Sequence, residues 1–192
     1  MSAAPATTPS RLAIGKIGMG WFLASLGMIF AASVVGLLWV RAAAEVWPPP
    51  GAPSLPRGLW LSTVLIVLST LTMEWARRSR SRPGRPGLLG GLVSTLVLGI
   101  AFLLAQTRGW FVLAAADFTA TANLYAFTYY LLTALHAVHV LGGLIPLTVV
   151  TLRAARRGEA WPAHGVVYTA MYWHFLTVVW LVLFAVFQLT GS

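Results

Sequence analysis

The 192-residue chain contains no cysteine and only four acidic residues, and charged residues of either sign make up 9% of it. Without cysteine, disulfides, iron–sulfur clusters, thiolate zinc sites and cysteine-bridged dinuclear copper are all excluded, so any metal would have to be held by histidine. A water-soluble domain devotes about a quarter of its residues to charge. At 58% hydrophobic residues and a mean hydropathy of +0.81, this composition is that of an integral membrane protein. The few acids also limit chemistry. Glu45, Asp117 and Glu159 all fall outside the apolar segments, and Glu74 sits at the end of one.

Five apolar stretches are long enough to cross about 30 Å of hydrocarbon as helices, which takes about 20 residues. They lie at 19–40, 59–76, 88–107, 125–151 and 166–189. The expected fold is an all-α bundle of five transmembrane helices forming one compact domain over 18–192, preceded by a flexible tail over 1–17 rich in Ala, Thr, Pro and Ser. The first stretch is too long for a signal-peptide core and no A-x-A-like site ends it, so it is expected to stay in the membrane.

Charge alternates from loop to loop. Ten of the thirteen Lys and Arg fall before the first span or in the second and fourth loops: Arg11, Lys16, Arg77, Arg78, Arg80, Arg82, Arg85, Arg153, Arg156 and Arg157. Only Arg41, Arg57 and Arg108 lie in the first and third loops. The positive-inside rule then predicts a cytoplasmic N-terminus and an outside C-terminus. A net charge of +9 can signal nucleic acid. Arginines confined to the ends of spans instead suit anionic lipid headgroups, and Arg77, Arg78, Arg80, Arg153 and Arg156 are the candidates.

Local signals add detail. Pro48, Pro49, Pro50 and Pro53 stiffen the first outside loop, and Trp47 is placed at headgroup level. Gly87, Gly91, Thr95 and Gly99 recur every fourth residue, a small-residue face that lets helices approach closely. Pro146 is expected to kink the fourth helix.

Three histidines lie inside spans. His136 and His139 share a face with Thr133 and Gly143, and His174 shares one with Thr177, roughly 12 Å inside the cytoplasmic boundary at 1.5 Å per residue. Lipid offers imidazole no hydrogen bond, so these faces must point into the bundle or at a partner, and the three rings are expected to be near neighbours. They fit copper, zinc or b-type haem ligation, or a lipid-headgroup or proton-path role. The reading taken is structural: interhelical hydrogen bonds that hold helices four and five together, with Thr133, Thr177, Trp173 and Trp180. Glu74 reads as an i,i+4 ion pair with Arg78. No Ser/His/Asp set, phosphate loop or carboxylate pair is visible, and His164 lies in a loop, so no catalytic centre of its own is expected.

Tyr129-Tyr130-Leu131-Leu132-Thr133-Ala134-Leu135-His136-Ala137-Val138-His139-Val140-Leu141-Gly142 resembles the FFxxTGxHGxHVxxG pattern of subunit III of haem-copper oxidases, and Tyr172 to Trp180 resembles that family's YWHFVDVVW. Trp47-Pro48-Pro49, Trp75-Ala76, Leu98-Gly99 with Gln106, and the closing Gly191-Ser192 add to the match, which covers about residues 20 to 192. The resemblance implies the five-helix bacterial form, with the same topology that the arginines predict. It further implies a multi-pass protein of the bacterial cytoplasmic membrane, an accessory subunit packed against catalytic subunit I and the other oxidase subunits. Such a subunit would bind structural phospholipid and have no cofactor of its own. Haems and copper belong to the partners, and the subunit would support assembly, proton uptake and aerobic electron transport. Three positions where the family carries carboxylates are Phe30, Gly109 and Thr177 here. Two other readings fit: an accessory protein of a nitric oxide reductase, and, of a different class, a membrane redox protein binding haem or copper through His136, His139 and His174.

Overall fold

A computed structural model describes residues 11–53, 58–81, 87–157 and 164–191. Within them the chain forms five helices: α1 (Arg11–Ala43), α2 (Gly58–Ser79), α3 (Leu88–Ala115), α4 (Leu124–Arg157) and α5 (His164–Thr190). All five are long and apolar enough to cross a membrane, and no strand occurs among the described residues.

The helices overrun the expected spans. Residues 11–17, assigned from sequence to a tail, are the opening turns of α1, and α3 continues eight residues past 107. Hydropathy marks where the chain meets hydrocarbon, whereas backbone hydrogen bonding continues into the headgroup region. The 33 residues of α1 rise about 50 Å, well beyond a 30 Å apolar layer. Helix α4 stays a single helix through Pro146.

Local chemistry sets the helix ends. Asn123 begins α4, its side-chain oxygen accepting the Ala126 N–H at 2.8 Å. At the end of α3, Asp117 turns left-handed at φ 57° while the Phe118 N–H closes back on the Leu113 carbonyl at 3.0 Å. Gly87 precedes α3 at φ 82°, where the Trp75 ring covers it and a Cβ would come within 2.5 Å of the indole.

Helices α2 and α3 form a tight antiparallel hairpin. Helix α5 sits centrally against α1, α2 and α4, while α1 touches only α4 and α5. The small face expected on α3 is where its neighbours close in. A Cβ on Gly91 would lie 2.9 Å from Ala76 Cβ and from two backbone atoms of α2, and one on Gly99 would lie 2.7 Å from the Trp173 ring. Thr72 and Thr95 share a hydrogen bond of 2.9 Å across the same contact. Trp173, Trp180, Phe102, Ile66, Met73 and Leu132 fill the interior, and Trp21, Leu104, Phe111, Ile145 and Leu189 point outward as a lipid-facing surface does.

Candidate functional site

The residues of the Tyr172–Trp180 motif are resolved by one face of α5. Residues 173, 177 and 180 recur at four and three positions and so line one stripe of a helix, which meets α2. Trp173 Nε1 donates to Ser69 Oγ at 2.9 Å, and Trp180 Nε1 donates to Thr63 Oγ1 at 3.0 Å. Thr177 and Thr70 share a hydrogen bond between their hydroxyls. Further along, His174 Nε2 lies 3.4 Å from Glu74 Oε2.

The donor bookkeeping across this seam is complete for the two tryptophans. An indole N–H can only donate, and a hydroxyl has one proton and two lone pairs. Thr63 spends its proton on the Leu59 carbonyl at 2.8 Å and Ser69 on the Ile66 carbonyl at 2.7 Å. Their free lone pairs take the indoles. Thr133 does the same between α3 and α4, accepting Trp110 Nε1 at 3.1 Å while donating to the Tyr129 carbonyl at 2.8 Å.

The three histidines take three separate environments, which corrects the expectation of one imidazole cluster binding α4 to α5. His139 Nδ1 is turned onto the Leu135 carbonyl of its own helix at 2.7 Å. What joins α4 to α5 there is Tyr172, whose hydroxyl donates to the His139 backbone carbonyl at 3.0 Å. His136 is fully buried among the rings of Phe30, Phe102 and Trp180, with centroids 6.2, 5.6 and 5.2 Å away, and neither of its nitrogens has a hydrogen-bond partner. His174 faces α2. The cause is angular: His136 and His139 are held three apart on α4, but His174 points away from the α4–α5 contact. No group of three His, Asp or Glu side chains converges as a metal site among the described residues.

Glu74 gathers the cations of its own helix. Arg77 grips it with Nε and Nη2, both at 2.6 Å, and Arg78 Nε reaches it at 2.7 Å. The i,i+4 pair expected with Arg78 is present, and the bidentate i,i+3 partner Arg77 was not anticipated. Two arginines picked as headgroup contacts are thus already engaged by a carboxylate, whereas Arg80, Arg153 and Arg156 have no ion pair among the described residues. Arg82, Arg85 and Glu159 lie outside the described residues.

At the three positions where the resemblance led one to look for carboxylates, the structure shows what stands instead. The Phe30 ring packs on His139 with centroids 5.0 Å apart and on Phe175 at 6.5 Å. Thr177 is part of the α2 seam. Gly109 is open, with nothing within 4 Å of where a Cβ would be. Trp47, expected at headgroup level, donates from Nε1 to the Thr190 carbonyl at 2.7 Å and stacks edge-on against Tyr125, tying the first loop to the end of α5.

A helical bundle of five membrane-spanning segments, whose buried hydroxyls and indoles bond one helix to the next, defines a polytopic membrane subunit whose polar residues mainly hold its own helices together. The family model for cytochrome c oxidase subunit III matches residues 11–192. The chain is 33% identical to the probable cytochrome c oxidase subunit 3 of Rickettsia felis over 204 aligned positions, covering 97% of this chain and 72% of that protein. It is 32% identical to cytochrome c oxidase subunit 3 of Synechocystis, covering 87% and 72%, and 32% identical to that of Xenopus laevis, covering 77% and 56%. The chain belongs to the cytochrome c oxidase subunit III family and is an accessory subunit of a haem-copper oxidase, with a place in respiratory electron transport.

Proposed function

We propose that this subunit packs against the catalytic subunit of a bacterial haem-copper terminal oxidase in the cytoplasmic membrane. Its N-terminus is cytoplasmic and its C-terminus outside. Haems and copper reside in the partner subunits, and this chain supplies a rigid, lipid-binding flank that supports assembly, stability and proton uptake. The observation that carries the reading is how the membrane-embedded polar groups are used: Trp173, Trp180, Thr177 and Thr133 bond neighbouring helices, and the three span histidines do not converge. A family match along nearly the whole chain supports it. The relatives are named as oxidase subunits, which favours an oxidase over a nitric oxide reductase as the assembly.

The orientation rests on the arginine distribution. Arg80, Arg153 and Arg156 are the cations left to meet anionic phospholipid once Arg77 and Arg78 are bound to Glu74. With Phe30, Thr177 and Gly109 at the family's carboxylate positions, support of proton uptake acts through the fit of this subunit to its partner rather than through a proton-carrying acid of its own.

The test is purification of the complex from native membranes through a tag on this chain. A haem-containing catalytic subunit should co-elute in stoichiometric amount, and this subunit, once dissociated, should show no haem absorption and no bound copper. Stoichiometric haem or copper on the isolated chain would overturn the reading in favour of a redox protein.

A further inference from the structure

At the arginine-rich end of the bundle, two buried polar atoms are not used by the seam or the Glu74 cluster. Ser79, the last residue of α2, is fully buried, and its hydroxyl has no hydrogen-bond partner. Arg80 follows it, and its Nε is likewise buried without a partner. An unpaired buried polar group is costly, and native structures keep few of them.

The antiparallel register of the α2–α3 hairpin locates this pair. Thr72 lies opposite Thr95, and Ala76 lies opposite Gly91. One more turn brings Ser79 and Arg80 level with Leu88 and Gly87, the N-terminus of α3. That terminus has no side-chain cap, and the first bond of the helix is the Gly91 N–H to the Gly87 carbonyl at 2.8 Å, so the Leu88, Leu89 and Gly90 amides precede it without helical acceptors. The α2–α5 seam runs the same way. Continued past Glu74 and His174, it brings the end of α2 level with the opening turns of α5, where no acidic residue stands.

The end of α2 therefore lies beside two helix N-termini, with a buried hydroxyl and a buried guanidinium nitrogen between them. The nearest described carboxylate, Glu74, is more than a turn away and held by Arg77 and Arg78. Every group in this set is able to donate, and helix N-termini attract negative charge. We propose that Ser79, Arg80 and the first turn of α3 form a binding site for a phosphate oxyanion, whose several acceptor oxygens match this cluster of donors. If the arginine-rich end lies at the membrane surface, as the functional reading holds, the phosphate is that of an anionic lipid headgroup; otherwise it is a dissolved anion.

The experiment follows the temperature at which the full chain, purified with the subunits that accompany it, unfolds or is released. One arm titrates inorganic phosphate in detergent at ionic strength held constant with chloride. The other compares phosphatidylcholine nanodiscs with and without phosphatidylglycerol. Wild type should show a saturable gain in at least one arm. Ser79→Ala and Arg80→Gln should each need about tenfold more ligand for the same gain, the size expected for one hydrogen bond to a charged group. Arg78→Gln, whose guanidinium serves Glu74, should leave the titration midpoint in place. A gain with phosphatidylglycerol alone assigns the phosphate to lipid, and a gain with inorganic phosphate alone assigns it to a dissolved anion. Both outcomes uphold the site. No saturable gain in either arm, or identical midpoints for wild type, Ser79→Ala and Arg80→Gln, overturns it. Failure of the oxidase reading would appear instead in the subunit composition of the sample.

Discussion

Each polar side chain in the interior of this subunit can be judged by whether its hydrogen-bonding capacity is met. Trp173 and Trp180 each have one proton to give, and each gives it to an α2 hydroxyl. His136 is the opposite case: its nitrogens are buried and unpartnered, and three aromatic rings surround it. Ring packing is then its main contribution. Replacing it with a ring of similar size removes the cost of two unsatisfied nitrogens, about 1 to 3 kcal/mol each where the group is fully desolvated. His136→Phe should accordingly keep or raise the thermal stability of the purified complex and leave its haem content unchanged. Loss of haem in that variant would mean that the imidazole is a ligand. The sequence pointed to His136 correctly as an interior residue, because lipid excludes it, but its helical spacing from His139 carried no information about what the ring would meet.

For whole helices, the legible features were those set by periodicity within one segment. The five spans followed from runs of apolar residues, and the close-packing face of α3 followed from Gly87, Gly91, Thr95 and Gly99 at four-residue intervals. That face makes a sharp contrast testable. Gly91→Ala places a methyl 2.9 Å from α2 backbone atoms, which cannot swing aside, so the hairpin must open at a cost of about 1 to 3 kcal/mol. Gly20→Ala on α1 meets nothing within 4 Å and should be neutral or slightly stabilising. Thermal melts of the two variants beside wild type check both. What periodicity did not reveal was which neighbour each face meets. The α5 motif was read as a tie to α4, yet its stripe lies on α2, because Thr63, Ser69, Thr70 and Glu74 form a polar stripe there that hydropathy averages away. Helix ends were also misjudged, since the backbone ladder continues where apolar residues stop.

Taken whole, the molecule is asymmetric in charge. One end gathers ten of its thirteen basic residues, and only Glu74 among the described acids stands against them there. A protein in a membrane whose cytoplasmic leaflet is anionic is oriented by that difference. Fusion of alkaline phosphatase to the C-terminus should give an active enzyme in the periplasm, and fusion of green fluorescent protein at the same point should stay dark. The reverse pattern would invert the topology and move the arginine-rich end away from the cytoplasmic leaflet.

The account depends most on the α2–α5 seam as the element that keeps the bundle in register. A double-mutant cycle on Trp173→Phe and Ser69→Ala, read from the temperature at which the subunit unfolds or leaves the complex, isolates that bond from the packing around it. The seam predicts a favourable coupling of about 0.6 kcal/mol, and up to about 2, as found for interhelical hydrogen bonds in membranes. Strictly additive effects of the two substitutions would show that Trp173 and Ser69 are neighbours without being partners, and would contradict the account.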